Sequence, residues 1–571
     1  MKSKYILPLC FILFFQNFSS GQITLLRPDT IDRTTMKILN GKLIYGHQAQ
    51  AQWTYELWSL DPLTLTAGRI KDLNPNSGDE VFSWATSYGA PMKYNNCIFK
   101  NELYFFADDG AHGMELWKSD GTEAGTVLFK DFNPGLIGWD FANYKVPTFL
   151  EMNGLLYLNA GVTANGNELW VTDSMAGSIH QVADLNPGTA SSNPSFLIRY
   201  NSELYFTAND GVHGWELFAY SDQTNQIRLV SEILPGTLGP FDDGTGSVSI
   251  NPHFTVSGRY LYFQVDLNGG LGSENRHWYR TDGTSAGTFA IENSLIPMDY
   301  ANVTADLYGT FYFVAKDQSN YFSVWKSDGS VAGTVAVPTS NDLQMRPSMV
   351  TVGNYVYFNG MNTDSSGLAY TDGTTGGTGM VLGYDESYTS FNITFPTVLN
   401  GNIFFHVTGY DLMSGSFERV AQTNGTIAGT MTYPAIEPLS EFIPFGNDLI
   451  FYGHDSTEAT PQRTKLYLLH PANFPPAIGT GVEERLNGES VQVFPNPTAG
   501  ELNISMEGVD WMNSQISLRD VTGKIIMQTK INDSRMNELK LKLPGNLQDG
   551  FYTLEVINQK FSFTRKIVKV Q

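Results

Sequence analysis

The chain is poor in cysteine, poor in charge and, beyond its first residues, without a long apolar run. Of its 571 residues only two are cysteine and 16% are charged. Cys10 lies in the N-terminal apolar segment, so loss of that segment leaves Cys97 with no partner for an internal disulfide. Stability must then come from packing, even in an oxidising destination. Cys97 stands in Asn96-Cys97-Ile98-Phe99, where a small buried hydrophobe is expected and no nucleophile motif surrounds it. Basic residues are also scarce. With 35 Lys+Arg against 57 Asp+Glu the formal net charge is −22. That excludes nucleic acid and anionic membrane as partners, because phosphate binding needs a basic face. Catalytic signatures are missing too. There is no His-Glu-x-x-His, no Gly-x-Ser-x-Gly and no Gly-x-x-x-x-Gly-Lys-Ser/Thr. Paired carboxylates for glycoside chemistry leave no spacing signature at all.

What is abundant is glycine, with 55 residues, and aromatics, at 13%. This is the composition of short strands and tight turns, and helical periodicity is absent from the body of the chain. Met1-Lys2-Ser3-Lys4, an apolar run from Tyr5 to Phe15 and the small residues Ser19-Ser20-Gly21 read as a secretory signal over 1–21, with Gln22 as the new N-terminus. The run is too short for a membrane anchor, so no transmembrane segment is expected in the mature chain. Too little apolar sequence precedes Cys10 for a lipoprotein.

The middle of the chain repeats itself. One unit reads Glu102-Leu103-Tyr104-Phe105, Glu115-Leu116-Trp117, Ser119-Asp120-Gly121-Thr122, then Ala124-Gly125-Thr126 and Asp131-Phe132-Asn133-Pro134-Gly135. Aligned on the Trp position, the units fall at Trp58, Trp117, Trp170, Phe218, Tyr279, Trp325, Ala369, Ala421 and Tyr467. Four short antiparallel strands in roughly 50 residues is the arithmetic of a β-propeller blade. The expected fold is all-β: a multi-bladed propeller of about seven to nine four-stranded blades, in one ring or two. The units resemble the ELWxxDGT repeats of secreted bacterial proteins, a likeness that names no reaction and fades toward Ala369, Ala421 and Asn424.

The last part differs. Residues 22–484 carry a net charge of −26 and residues 485–571 a net of +2. A loop-like stretch over 473–490 separates a propeller region, 22–472, from a terminal region, 491–571, whose seven alternating apolar runs predict a small Ig-like β-sandwich. Within it Phe494-Pro495-Asn496-Pro497 with Gly500, then Thr522-Gly523-Lys524, Gly550-Phe551-Tyr552 and Lys566-Ile567-Val568-Lys569 resemble the type A C-terminal sorting signal of the Bacteroidetes type IX secretion system. The resemblance implies recognition by that machinery through 491–571, export across the outer membrane, and removal of the tail with release or surface attachment.

The repeated residues have structural uses. Asp120, Asp282, Asp328 and Asp372 start tight turns whose carboxylates can accept backbone N–H bonds, with a calcium loop as the alternative. His112 and His213 occupy equivalent turns and supply no converging metal set. Asp108, Asp109, Asp242 and Asp243 form acidic pairs that are the calcium candidates; no other cofactor is implied. Trp53, Trp84, Trp139 and Trp215 break the repeat and are candidates for exposed contact surface. Two functions follow: a non-enzymatic surface module binding a glycan or a protein in adhesion, or a polysaccharide hydrolase or lyase. The second would use non-repeat acids such as Asp242, Asp243, Asp266 and Glu274 at the channel mouth.

Overall fold

In the computed structural model the described residues are 23–27, 36–48, 55–74, 96–134, 149–242, 250–268, 276–292, 294–297, 303–316, 322–338, 344–361, 366–384, 388–411, 415–425, 430–433, 436–455, 465–471, 492–494, 501–505, 514–519, 525–531, 538–545, 547, 550–557 and 562–569. All regular structure among them is β. The expected signal peptide and the 473–490 linker lie outside the described residues.

Nine antiparallel sheets follow one another along residues 23–469. Blade 1 spans 37–71, blade 2 96–130, blade 3 149–181, blade 4 195–231, blade 5 255–290, blade 6 296–336, blade 7 344–384 and blade 8 388–433. Blade 9 takes its strands from 436–469 and its outer strand from Ile23–Arg27, which pairs with Lys465–Leu469.

The second strand of each blade explains the Leu-Tyr-Phe signature. In blade 2, Leu103, Phe105 and Ala107 pack on blade 1 with Leu39, Ile44 and Leu57. The alternate residues Tyr104 and Phe106 pack on blade 3 with Leu156 and Leu158. A strand buried on both faces must be apolar at every position, which is why the run does not alternate. The same straddling cores recur around the molecule. The last of them joins Leu26, Ile450 and Leu466 of blade 9 to Leu43, Tyr45 and Leu60 of blade 1. The cores therefore close on themselves. The propeller is one ring of nine blades, at the upper end of the expected range.

First strands of neighbouring blades touch one another, as 96–99, 149–152 and 195–200 do, which makes them the inner wall of the ring. Side chains zip part of this wall. Thr255 Oγ1 lies 2.8 Å from Thr304 Oγ1, and Ser257 Oγ donates to Asp306 Oδ1 at 2.5 Å.

Past residue 490, a three-stranded and a four-stranded sheet enclose one apolar core. Leu502, Ile504, Leu539 and Leu541 of the first meet Ile516, Leu518, Leu554 and Val556 of the second. This is a small β-sandwich.

Candidate functional site

Alternating strand direction sorts the loops onto two faces. The lower face carries the turns between first and second strands and those between third and fourth. The upper face carries the turns between second and third strands and the connections from blade to blade. The lower turns are short and uniform. Asp120, Asp282, Asp328 and Asp372 each accept, through Oδ1, the N–H and the hydroxyl of the residue two positions on, at 2.7–3.0 Å. A second hydroxyl pair closes each loop at 2.7 Å, as between Ser119 and Thr126. These bonds hold the Asp120, Asp282 and Asp328 carboxyls below the usual carboxylate range. Each turn also docks on the preceding blade: Arg228 donates to the Gly283 carbonyl at 2.9 Å and Lys326 to that of Gly373 at 2.8 Å. The lower face is scaffold.

The upper face holds buried carboxylates. Glu115 accepts the N–H groups of Phe132 at 2.7 Å and Asn133 at 3.1 Å. Glu216 does the same for Ile233 and Leu234, and Glu168 for Leu185 and Ser192; Glu56 reaches Leu73. Each is the Glu of a Glu-Leu-Trp or Glu-Leu-Phe triplet, and each grips the start of the connection to the next blade. Burial pushes Glu216 up to about 8 and the other three up to about 7, against the lowering effect of their N–H donors. Blade 5 reverses the arrangement. His277 takes the Glu position, and Glu292 from the connection accepts from Trp278 and Leu295 while bonding His277 Nδ1 at 3.0 Å. That carboxylate raises the His277 pKa. Blades 6 to 9 have Ser323, Gly367, Arg419 and Lys465 at the equivalent position, so the clamp belongs to one half of the ring.

The sequence candidates distribute unevenly. Asp109 caps the backbone N–H groups of Ala111 and His112 and bonds His112 Nδ1 at 2.7 Å; Asp210 repeats this with His213. The partner carboxylate raises both histidines. Asp108 accepts from Gly110 N–H at 2.7 Å. Asp242 and Asp266 are fully buried near the junction of blades 4 and 5, while Asp243 and Glu274 lie outside the described residues. Trp215 corrects an expectation: it is 1% exposed and sits in the core between blades 4 and 5 with Phe241 and Leu261, so it is not contact surface. Trp53, Trp84 and Trp139 lie outside the described residues. Cys97 is half-buried on an inner strand, and burial pushes its thiol up. Of the sorting motif, Gly550, Tyr552 and Lys566 fall on strands, whereas Pro495, Asn496, Pro497, Gly500 and Gly523 lie outside the described residues.

One constellation carried no sequence signal. Glu437, on the inner strand of blade 9, pairs with His454 on the adjacent strand at the upper face. Glu418 of blade 8 stands close enough to feel both, and burial with the Glu437 charge raises its carboxyl. All three side chains reach solvent. Only register brings residues so far apart in sequence together, and no spacing rule would have found them. Among the described residues no three His, Cys, Asp or Glu side chains are grouped to hold a metal, and no helix is long and apolar enough to cross a membrane.

Similar solved structures include a puromycin hydrolase, with 14% identity over 66% of this chain and 60% of that one at a TM-score of 0.32. The polysaccharide lyase Uly1 has 10% identity over 80% and 94% at 0.32, and TolB from Acinetobacter baumannii has 12% over 54% and 76% at 0.24. The chain spans about three-fifths of the length of the puromycin hydrolase. No score of this size supports an inference about function. No curated protein matches the chain by sequence. Residues 492–570 match the family described as the secretion system C-terminal sorting domain, so the chain ends in a type IX sorting tail and is a secreted protein.

Proposed function

We propose that this is a secreted or cell-surface ELWxxDGT-repeat protein of Bacteroidetes type, whose ring is a non-enzymatic adhesion module for an extracellular glycan or protein. In this reading residues 1–21 are a signal peptide, 22–472 the binding propeller, 473–490 a linker and 491–571 the tail engaged and removed by the secretion machinery. The observation that carries it is the set of carboxylate clamps. Glu56, Glu115, Glu168 and Glu216 are buried and bonded to backbone N–H groups, so the regular acids of the upper face shape its connections. Asp242 and Asp266, fully buried, do not line a solvent channel as a hydrolytic pair must. A polysaccharide hydrolase or lyase is the second reading, favoured by Glu418, Glu437 and His454 at the upper face, where an acid with a raised pKa stands beside a carboxylate–imidazole pair.

The test is a glycan-array screen of the secreted chain, with calcium and with chelator, reading the same spots later for product. Retention without turnover supports the binding module. Product release that is lost in Glu418→Gln overturns it in favour of the enzyme, and silence on every glycan leaves the protein ligand as the target class.

A further inference from the structure

Asp266 ends the second strand of blade 5, Tyr260–Asp266, and is fully buried. Its Oδ1 accepts the N–H of Asn268 at 2.8 Å, but its Oδ2 has no hydrogen-bond partner. Among the described residues no ion pair joins it to a cationic side chain; Arg276 lies opposite it in register, and His277 is bonded to Glu292. An ionised carboxylate oxygen left alone in the interior is strongly unfavourable, and a bound cation is the usual remedy.

The surroundings supply further oxygen. The N–H of Asp266 donates to the Pro240 carbonyl at 2.9 Å, which sets the Gly239–Asp242 turn against the end of this strand. Asp242 on that turn is a second fully buried carboxylate, and Gln264, two residues before Asp266 on the same strand face, is a fully buried carboxamide. The turn is held from behind. Trp215 N–H donates to Leu238 at 2.7 Å, Phe241 N–H to Trp215 at 3.3 Å and Ile250 N–H to Phe241 at 2.7 Å.

We propose that Asp266 and Asp242 ligate a calcium ion that fastens the connection between blades 4 and 5 to the upper face. The donors are carboxylate and amide oxygens with no thiolate or free imidazole, which selects a hard cation. Magnesium gives up its water shell reluctantly, so a site with both carboxylates buried suits calcium. The inference stands apart from the choice between binding module and enzyme, since it concerns how the upper face is built.

Terbium luminescence of the full secreted chain tests it, with terbium alone as the probe. Trp278, the register partner of Gln264, and Trp215, bonded to the turn, are the built-in sensitisers. Tryptophan-excited terbium emission displaced by calcium is expected, with affinity falling about tenfold or more in Asp266→Asn and in Asp242→Asn. Calcium should also raise the melting temperature of the wild type but not of Asp266→Asn. Absence of calcium-displaceable emission from the wild type overturns the proposal, and that measurement stands even if the variants fold poorly. So does a calcium shift that survives Asp266→Asn or disappears instead in Asp108→Asn.

Discussion

Ile23 lies opposite Leu469 in an antiparallel pair, so the first described strand of the chain completes the sheet begun by the last part of the propeller. Leu26 on this strand is 5% exposed and packs with Leu43 and Tyr45 of blade 1, whereas its neighbour Leu25 is 42% exposed. Ring closure thus depends on one short strand that sends Leu26 into the core with blade 1 and sets a half-buried Ile23 against the core with blade 8.

Leu26→Ala is accordingly expected to cost about 2–4 kcal/mol, the ordinary figure for a buried leucine, and Leu25→Ala close to nothing. Removing Ile23–Arg27 would leave Lys465–Leu469 as an unpaired edge and favour aggregation. Chemical denaturation of the three variants settles the matter; equal midpoints for Leu26→Ala and Leu25→Ala would show that the strand does not seal the ring.

The clamp carboxylates predict a pH dependence with a definite sign. Glu216 titrates near 4.5 when unfolded and at about 8 when folded, because burial penalises its charge. A folded state that holds a proton the unfolded state has lost is stabilised at low pH. The contribution is complete below about 4.5 and disappears as pH rises through about 8, at up to ~1.4 kcal/mol per pH unit. Glu216→Gln keeps the acceptor oxygen and cannot ionise. Its melting temperature should therefore fall less than that of the wild type as pH rises from about 5 to about 8. Identical slopes for the two proteins would remove the clamp from the account.

Much of this fold was legible in the sequence because each blade repeats one solution to the same packing problem. Leu103-Tyr104-Phe105 announces a strand buried on both faces, and Asp120-Gly121-Thr122 announces a turn whose bonds are all local. The Glu of the triplet was legible as a position but not as a clamp, since its partners lie 17 to 24 residues away on a connection of variable sequence. Trp215 misled for a related reason. It departs from the repeat, yet its core partner Phe241 comes from an irregular connection that no periodicity marks. The nine-blade count needed the closing core, because Ala369 and Ala421 erase the aromatic signature where blades 7 and 8 pack on their neighbours.

Blade 8 carries the opposite pH response. His406 is 4% exposed, stands edge-on to Phe442 at 5.1 Å, and is held neutral by burial, its pKa pushed down to about 3. An unfolded histidine gains a proton near pH 6.5, so this group's contribution is full above that value and is lost as pH falls toward about 3. His406→Gln should resist acid better than the wild type over that window, as followed by near-ultraviolet circular dichroism during titration. A wild type and variant that lose signal at the same pH would contradict it.

Adjacent glycines in blade 7 separate a packing requirement from mere turn composition. A Cβ on Gly377 would lie 2.0 Å from Asp372 Cγ and Oδ1, the carboxylate that organises the turn, whereas a Cβ on Gly376 meets nothing within 4 Å. Neither position has the left-handed backbone that would exclude alanine by itself. Gly377→Ala must therefore displace Asp372 and break its bonds to Thr374 N–H and Oγ1, at 2.8 and 2.7 Å. A loss of about 1–3 kcal/mol is expected from the broken bonds. Gly376→Ala only restricts the unfolded chain and should be neutral or stabilising by about 0.4–1 kcal/mol. Thermal unfolding of the two single variants should move in opposite directions. If both destabilise equally, the Asp-centred network is not what fixes the turn, and the lower face would have to be held by its docking on the neighbouring blade alone.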